Sequence, residues 1–250
     1  MKFNFTNNLG EELSGRLEMP KSEPKAYALF AHCFTCSKDI IAPNTISKTL
    51  RDQGIAVLRF DFTGLGSSAG DFSDTNFTSN VDDLLQASKA LTDQFQAPKL
   101  IIGHSLGGAA ALQAAFLLEN IKAVVTIGAP SDVSHVAHHF DSEKEEIESK
   151  GEANVCLSGR PFKIKKQFID DLNNTDVLSI VGKLKKALLV MHSPLDKTVS
   201  VEHAANIFMA AKHPKSFVSL DKSDHLLMNK EDAHYAAEII GSWVLRYINT

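Results

Sequence analysis

Gly103-His104-Ser105-Leu106-Gly107 is a Gly-x-Ser-x-Gly pentapeptide set between the apolar run Leu100-Ile101-Ile102 and the alanine-rich stretch Gly108-Ala109-Ala110-Ala111-Leu112. A serine hydroxyl is a feeble nucleophile at neutral pH, so the chemistry this residue suggests is attack on an acyl carbonyl with a neighbouring base to take its proton. In a nucleophile elbow the serine sits at a strained strand-to-helix turn, and the flanking glycines are needed because the chain packs too closely for side chains. A helix starting at Leu106 aims its free amides and positive dipole end at the Ser105 oxygen.

Such a serine needs a base and the base an orienting acid, which in this arrangement follow in the order serine, acid, histidine. A predicted strand over residues 187–192 runs into Ser193-Pro194-Leu195-Asp196, and one over 216–220 runs into Asp221-Lys222-Ser223-Asp224-His225. Asp196 and His225 each fall just past the carboxyl end of a strand, where open α/β sheets place their sites. They are the candidate acid and base. Among ten histidines the rest fit less well: His104 flanks the serine and is expected to pack beside the site, His192 ends a strand, and His203, His213 and His234 lie on or beside helices. Asp221 and Asp224 share the histidine's own loop, where reach is awkward. The backbone N–H of Leu106 is one expected oxyanion donor, and the second should come from the loop His32-Cys33-Phe34-Thr35-Cys36-Ser37 after a predicted strand; resemblance to chains with His-Gly and a variable residue at positions 32–34 implies the amide of Phe34.

Other patterns compete for function. Cys33-Phe34-Thr35-Cys36 fits the Cys-x-x-Cys of thioredoxin-like redox sites, but the ordered serine, acid and histidine favour packing for this pair, with a redox role as the alternative. Oxidation of either thiol is expected to disturb the oxyanion loop. Arg59-Phe60-Asp61-Phe62-Thr63-Gly64-Leu65-Gly66 lacks the spacing of a phosphate loop, so Arg59 and Asp61 are expected to hold this loop by hydrogen bonds. His135, His138 and His139 are read as solvated or gating residues rather than zinc ligands; no cofactor or metal is expected.

Apolar runs alternate with helical patterns, the signature of a parallel sheet covered on both faces. An opening hairpin over residues 3–7 and 13–19 is followed by predicted strands at 26–32, 55–62, 99–103, 123–128, 187–192 and 216–220, an eight-stranded sheet. Helices are expected at 40–53, 76–94, 106–119, 201–212 and 231–248. Residues 131–176, charged and weakly patterned, read as a lid inserted into a single 1–250 domain; Phe140, Leu157, Phe162, Ile164 and Phe168 on it suit an apolar acyl pocket, and Lys163, Lys165 and Lys166 read as a solvated face. With 250 residues, 44% hydrophobic and 22% charged, the chain can bury one large core. Its charge of -4 gives no footprint for nucleic acid, and no run is long enough for a membrane span. The opening Met1-Lys2-Phe3-Asn4-Phe5-Thr6 lacks a signal-peptide core, and three cysteines are too few for a disulfide framework. A reduced, cytoplasmic setting is the expectation.

The elbow, the ordered acid and histidine, and the strand pattern resemble the α/β-hydrolase superfamily across essentially the whole chain. More narrowly, Ala31-His32-Cys33-Phe34-Thr35-Cys36-Ser37-Lys38-Asp39, Arg59-Phe60-Asp61-Phe62-Thr63-Gly64-Leu65-Gly66, Gly159-Arg160-Pro161-Phe162 and His213-Pro214-Lys215-Ser216-Phe217 resemble bacterial hydrolases found alone or fused to an osmotically inducible protein C (OsmC) domain. The resemblance implies a serine esterase or thioesterase acting on a small-molecule acyl substrate, and it leaves room for a separate OsmC-like partner. A cofactor-free perhydrolase or haloperoxidase-like activity on the same triad, and a non-catalytic binding protein of the same fold, are the alternatives.

Overall fold

The computed structural model describes residues 1–157 and 159–248. The chain opens with a small ladder of β1 (Phe5–Thr6) and β2 (Glu12–Leu13), then runs through β3 (Gly15–Glu18), β4 (Ala26–Ala31), α1 (Ile41–Asp52), β5 (Ile55–Phe60), α2 (Phe77–Gln94), β6 (Leu100–His104), α3 (Leu106–Leu117) and β7 (Ala123–Ile127). A 3-10 segment (Val133–Glu143), α4 (Lys144–Lys150), the strands β8 (Glu152–Leu157) and β9 (Arg160–Lys165), α5 (Lys166–Asn173) and α6 (Val177–Lys183) follow. The chain then completes the alternation with β10 (Ala187–His192), α7 (Val201–Ala210), β11 (Lys215–Ser219) and α8 (Lys230–Ile248).

Seven strands form the main sheet in the order β11-β10-β7-β6-β4-β5-β3. All pair in parallel except β3, which runs antiparallel along β5 with Gly15 opposite Phe60 and Glu18 opposite Val57. The first arm of the opening hairpin stays outside this sheet, because β3 already occupies the free edge of β5 and β1 pairs only with β2.

Alternate residues of each strand enter two separate cores. Leu29, Ile101, Val124 and Leu188 pack with α2 and α3, whereas Phe30, Ile102, Val125 and Leu189 pack with α1 and α8. Burial on both faces explains why these strands read as continuous apolar runs. The helix α2 starts at a reciprocal capping box of Asn76 and Ser79, which satisfies two otherwise orphaned amides. The helix after the elbow, α3, is buried on almost every side, from Leu106 to Leu112 and again at Ala114 and Ala115. Its alanines and glycines let it lie close to the sheet.

The segment between β7 and α6 has more regular structure than its composition suggests. Ala153, Val155 and Leu157 of β8 turn inward while Glu152, Asn154 and Cys156 turn outward, and β8 pairs antiparallel with β9. Its lysines bind carboxylates at the surface: Lys163 meets Glu152 at 2.8 Å, Lys166 meets Glu148 at 2.7 Å, and Lys165 pairs with Asp74. Among the described residues, no helix is long and apolar enough to cross a membrane.

Candidate active site

Ser105 stands at the junction of β6 and α3 with φ 56° and ψ -128°, left-handed backbone that non-glycine residues seldom adopt. Its flanks explain both glycines. A Cβ on Gly103 would lie 2.2 Å from the Gly107 carbonyl oxygen, and one on Gly107 would lie 2.3 Å from that of His32. The elbow is therefore pressed against the end of β4.

The three residues expected to cooperate, separated widely in the sequence, meet at the carboxyl edge of the sheet. The His225 Nε2 lies 2.9 Å from Ser105 Oγ, and its Nδ1 lies 2.6 Å from Asp196 Oδ2. In the productive tautomer Nδ1–H donates to the carboxylate while the serine hydroxyl donates to Nε2. The other Asp196 oxygen accepts the amides of Thr198 at 2.8 Å and Val199 at 2.9 Å. Burial alone would raise this carboxyl's pKa, but hydrogen bonds from His192, His225 and the Val199 amide, together with the His225 charge, hold it well below the usual carboxylate range. It stays ionised in the folded chain near neutral pH.

Two histidines given lesser roles in the sequence support this geometry. His192 is buried, donates Nε2–H to the Val199 carbonyl at 2.8 Å and comes within 3.4 Å of Asp196 Oδ2, fixing the acid loop. His104 is fully buried and donates Nε2–H to the His225 carbonyl at 2.7 Å. Burial, with help from the neighbouring His225, lowers its pKa to about 4, so it is neutral and supports the His225 backbone from behind. Asp221 bonds Ser219, and Asp224 accepts the Leu226 amide at 2.8 Å; both turn to their own loop.

Leu106 opens α3, and Phe34 follows β4 in a loop held at several points. His32 donates Nδ1–H to the Cys33 carbonyl at 2.8 Å and accepts the Phe62 amide on Nε2 at 3.3 Å. Asp61 accepts both the amide and the ammonium of Lys38 at 2.6 Å, and Arg59 donates to the Lys38 carbonyl at 2.6 Å. Arg59, within β5, and Asp61, just past it, thus anchor the loop around Phe34, and Asp61 also holds its own loop by accepting the Ser67 amide at 2.9 Å. From β9, the Arg160 guanidinium donates to the Thr35 carbonyl.

Two expectations change here. Cys33 and Cys36 are not packed thiols but a disulfide, with an S–S distance of 2.01 Å; a turn whose Cys36 amide donates to the Cys33 carbonyl at 3.1 Å brings the two Cα atoms to 5.3 Å, within bonding span. The aromatic residues of segment 131–176 do not wall an acyl pocket. Phe140 and Phe168 are buried against the Phe34 ring at centroid distances of 6.2 and 5.6 Å, and Phe162 meets Phe72 at 4.9 Å, so they form core behind the Phe34 loop.

A cavity of about 640 Å³ opens over Ser105 and His225. Ile40, Ile41, Leu157, Leu226 and Met228 give it apolar walls, with Asp39, His139 and Arg160 among its polar lining. His135 instead donates to the Thr198 carbonyl at 2.9 Å, and His138 faces Asp141 at 3.2 Å. The volume suits a small or medium organic ligand.

The alpha/beta hydrolase family model matches residues 28–239. Among solved structures, the esterase domain of a Rhodothermus marinus protein is 49% identical and superposes with a TM-score of 0.82, covering 99% of this chain and 98% of that one. Est1E of Butyrivibrio proteoclasticus, solved with ferulic acid bound, is 23% identical at a TM-score of 0.85 over 99% of both chains and shows the same fold. Among curated proteins, the mitochondrial palmitoyl-protein thioesterase ABHD10 of Mus musculus is 26% identical over 197 residues, 76% of this chain. The matched part spans 65% of that relative's length. Matched over residues 28–239 and nearly half identical to an esterase domain along its whole length, the chain belongs to the alpha/beta hydrolase family.

Proposed function

We propose that this protein is a serine hydrolase that cleaves carboxylic esters or thioesters of small to medium acyl groups. The observation that carries the reading is the unbroken series Asp196, His225, Ser105, with contacts of 2.6 and 2.9 Å, of which Ser105 and His225 line the cavity. Ser105 Oγ attacks the acyl carbonyl while His225 Nε2 takes its proton; Asp196 keeps the imidazole in the useful tautomer and stabilises the imidazolium. The amides of Leu106 and Phe34 receive the oxyanion. His225 then protonates the leaving alcohol or thiol, and water, activated by the same imidazole, releases the acid. The likeness to the Rhodothermus marinus esterase domain and to the ABHD10 thioesterase supports ester and thioester substrates alike. A cytoplasmic location belongs to the same reading; the Cys33–Cys36 disulfide, which departs from the reduced thiols expected there, is in that setting one that opens and closes.

The test is a panel of nitrophenyl esters and acyl thioesters of increasing chain length, measured for the natural chain and for Ser105→Ala. The expected result is turnover of shorter acyl groups and a loss of about four to six orders of magnitude in the variant. Undiminished hydrolysis by Ser105→Ala refutes the assignment. A fluorophosphonate that fails to label Ser105 argues instead for a binding protein on this fold.

A further inference from the structure

We propose that Cys33 and Cys36 are a redox-active pair that sets the rate of hydrolysis: the closed disulfide holds the Phe34 amide for the oxyanion, and reduction by a small thiol releases the loop and slows turnover. This rests on the hydrolase reading above. Phe34 lies between the two bonded cysteines, so the covalent link closes around the very peptide assigned to the oxyanion. Within that turn Thr35 has φ 55°, a left-handed conformation costly for a β-branched residue, and only the turn's restraints keep it there. Those restraints are the disulfide, the bond from the Cys36 amide to the Cys33 carbonyl, the His32 contact with that carbonyl, and the Arg160 contact with the Thr35 carbonyl. The disulfide is the one restraint that a change of solution chemistry removes outright. Once it opens, Thr35 can relax toward extended backbone, which opens the turn and breaks the bond from the Cys36 amide to the Cys33 carbonyl; that carbonyl shares its peptide with the Phe34 N–H, so the Phe34 amide loses its hold.

The pair is also within reach of a reagent. Cys33 and Cys36 both border the cavity over Ser105; Cys33 is buried, whereas Cys36 is only half-buried. An incoming thiolate attacks Cys36 Sγ, the S–S bond breaks, and Cys33 leaves as a thiolate that takes up a proton. A second thiol then attacks the outer sulfur of the mixed disulfide, expelling Cys36 as a thiol and forming the small-molecule disulfide. Two thiols have been oxidised and one protein disulfide reduced, a balanced two-electron exchange. The chemical class of the reagent is therefore a small cellular thiol of glutathione type.

The experiment uses the full chain carrying Cys156→Ser, so that only the pair reports, equilibrated in glutathione buffers from oxidising to reducing. Alkylation and intact mass give the fraction closed; kcat and KM for nitrophenyl butyrate are read from the same samples. The expected result is a kcat at least about threefold lower in the reduced form, within the two to three orders of magnitude that complete loss of an oxyanion donor costs, with KM changing less than kcat. The double variant Cys33→Ser/Cys36→Ser should match the reduced form and ignore the buffer. A smaller change in kcat while mass shows the pair opening, or a pair that never closes in any buffer, overturns the proposal. Should the chain hydrolyse no ester in either state, the hydrolase reading fails on its own. Amide exchange of residues 33–38 then decides the redox claim: faster exchange on reduction supports control of the loop, and equal exchange in both states overturns it.

Discussion

His104 offers a test of how the base is braced, because one buried imidazole holds the His225 carbonyl at 2.7 Å and titrates at about 4 instead of its ordinary 6.5. A folded-state pKa below the unfolded one means that the unfolded chain binds the extra proton first. The stability from keeping this ring neutral is complete above pH 6.5 and is lost as pH falls toward 4. The full difference corresponds to ~3 kcal/mol, of which ~2.5 kcal/mol is already lost at about pH 4.5. His104→Gln removes the titration while leaving an amide N–H able to reach the same carbonyl. At pH 7.5 the variant should be less stable by ~1–2 kcal/mol, from imperfect packing and a poorer hydrogen bond. Urea unfolding measured from pH 7.5 down to 4.5 should show the natural chain losing its advantage by ~2.5 kcal/mol. Two curves that stay parallel within ~0.5 kcal/mol would refute both the buried neutral imidazole and its place behind the base.

Asp196→Asn leaves the shape of the acid but favours the wrong His225 tautomer; kcat should fall by about four orders of magnitude with KM within a few-fold, read by steady-state hydrolysis. Gly107→Ala puts a methyl group 2.3 Å from the His32 carbonyl oxygen, so the elbow and the oxyanion loop must separate; fluorophosphonate labelling of Ser105 should slow at least about a hundredfold, and an unchanged rate would contradict the close packing. Asp83, buried and receiving the Thr63 amide and hydroxyl, has its pKa pushed by burial from 3.8 to about 6. Here the folded chain binds the proton more tightly, so Asp83 favours folding below pH 4 and that contribution is lost as pH rises to 6. Asp83→Asn should therefore gain on the natural chain by ~2 kcal/mol between those pH values, and thermal melts that fail to converge or cross would refute it.

The residues that needed no side chain, or sat at a strand end, were legible in the sequence. Gly103 and Gly107 mark the elbow because the backbone of β4 and the start of α3 leave no room there, and Asp196 and His225 follow β10 and β11 at the edge where their neighbours end. Features set by the detailed path of the backbone were not. Cys-x-x-Cys spacing is shared by packed thiols, redox pairs and disulfides, and the turn geometry at Thr35 chooses among them. His192 and His32 were visible as strand-end histidines, yet their roles come from the carbonyls of Val199 and Cys33, which the sequence does not place. The hairpin β8–β9 had a signal, the alternation Ala153, Val155, Leu157 before the Gly159 turn, but it is short and the charged residues on either side, from Glu148 to Glu152 and from Arg160 to Lys166, masked it. Phe140 and Phe168 suggested a pocket because apolar residues on a polar segment must cover something; what they cover is Phe34.

The central claim is that Ser105 carries the acyl group between attack and release. Rapid acid quenching of the enzyme during turnover of nitrophenyl butyrate, followed by peptide mass mapping, tests it directly. The account predicts a butyryl adduct on Ser105 that forms within the burst of nitrophenol and vanishes in Ser105→Ala. An adduct on Cys156, the free thiol bordering the same cavity, or steady turnover with no adduct on Ser105, would contradict it.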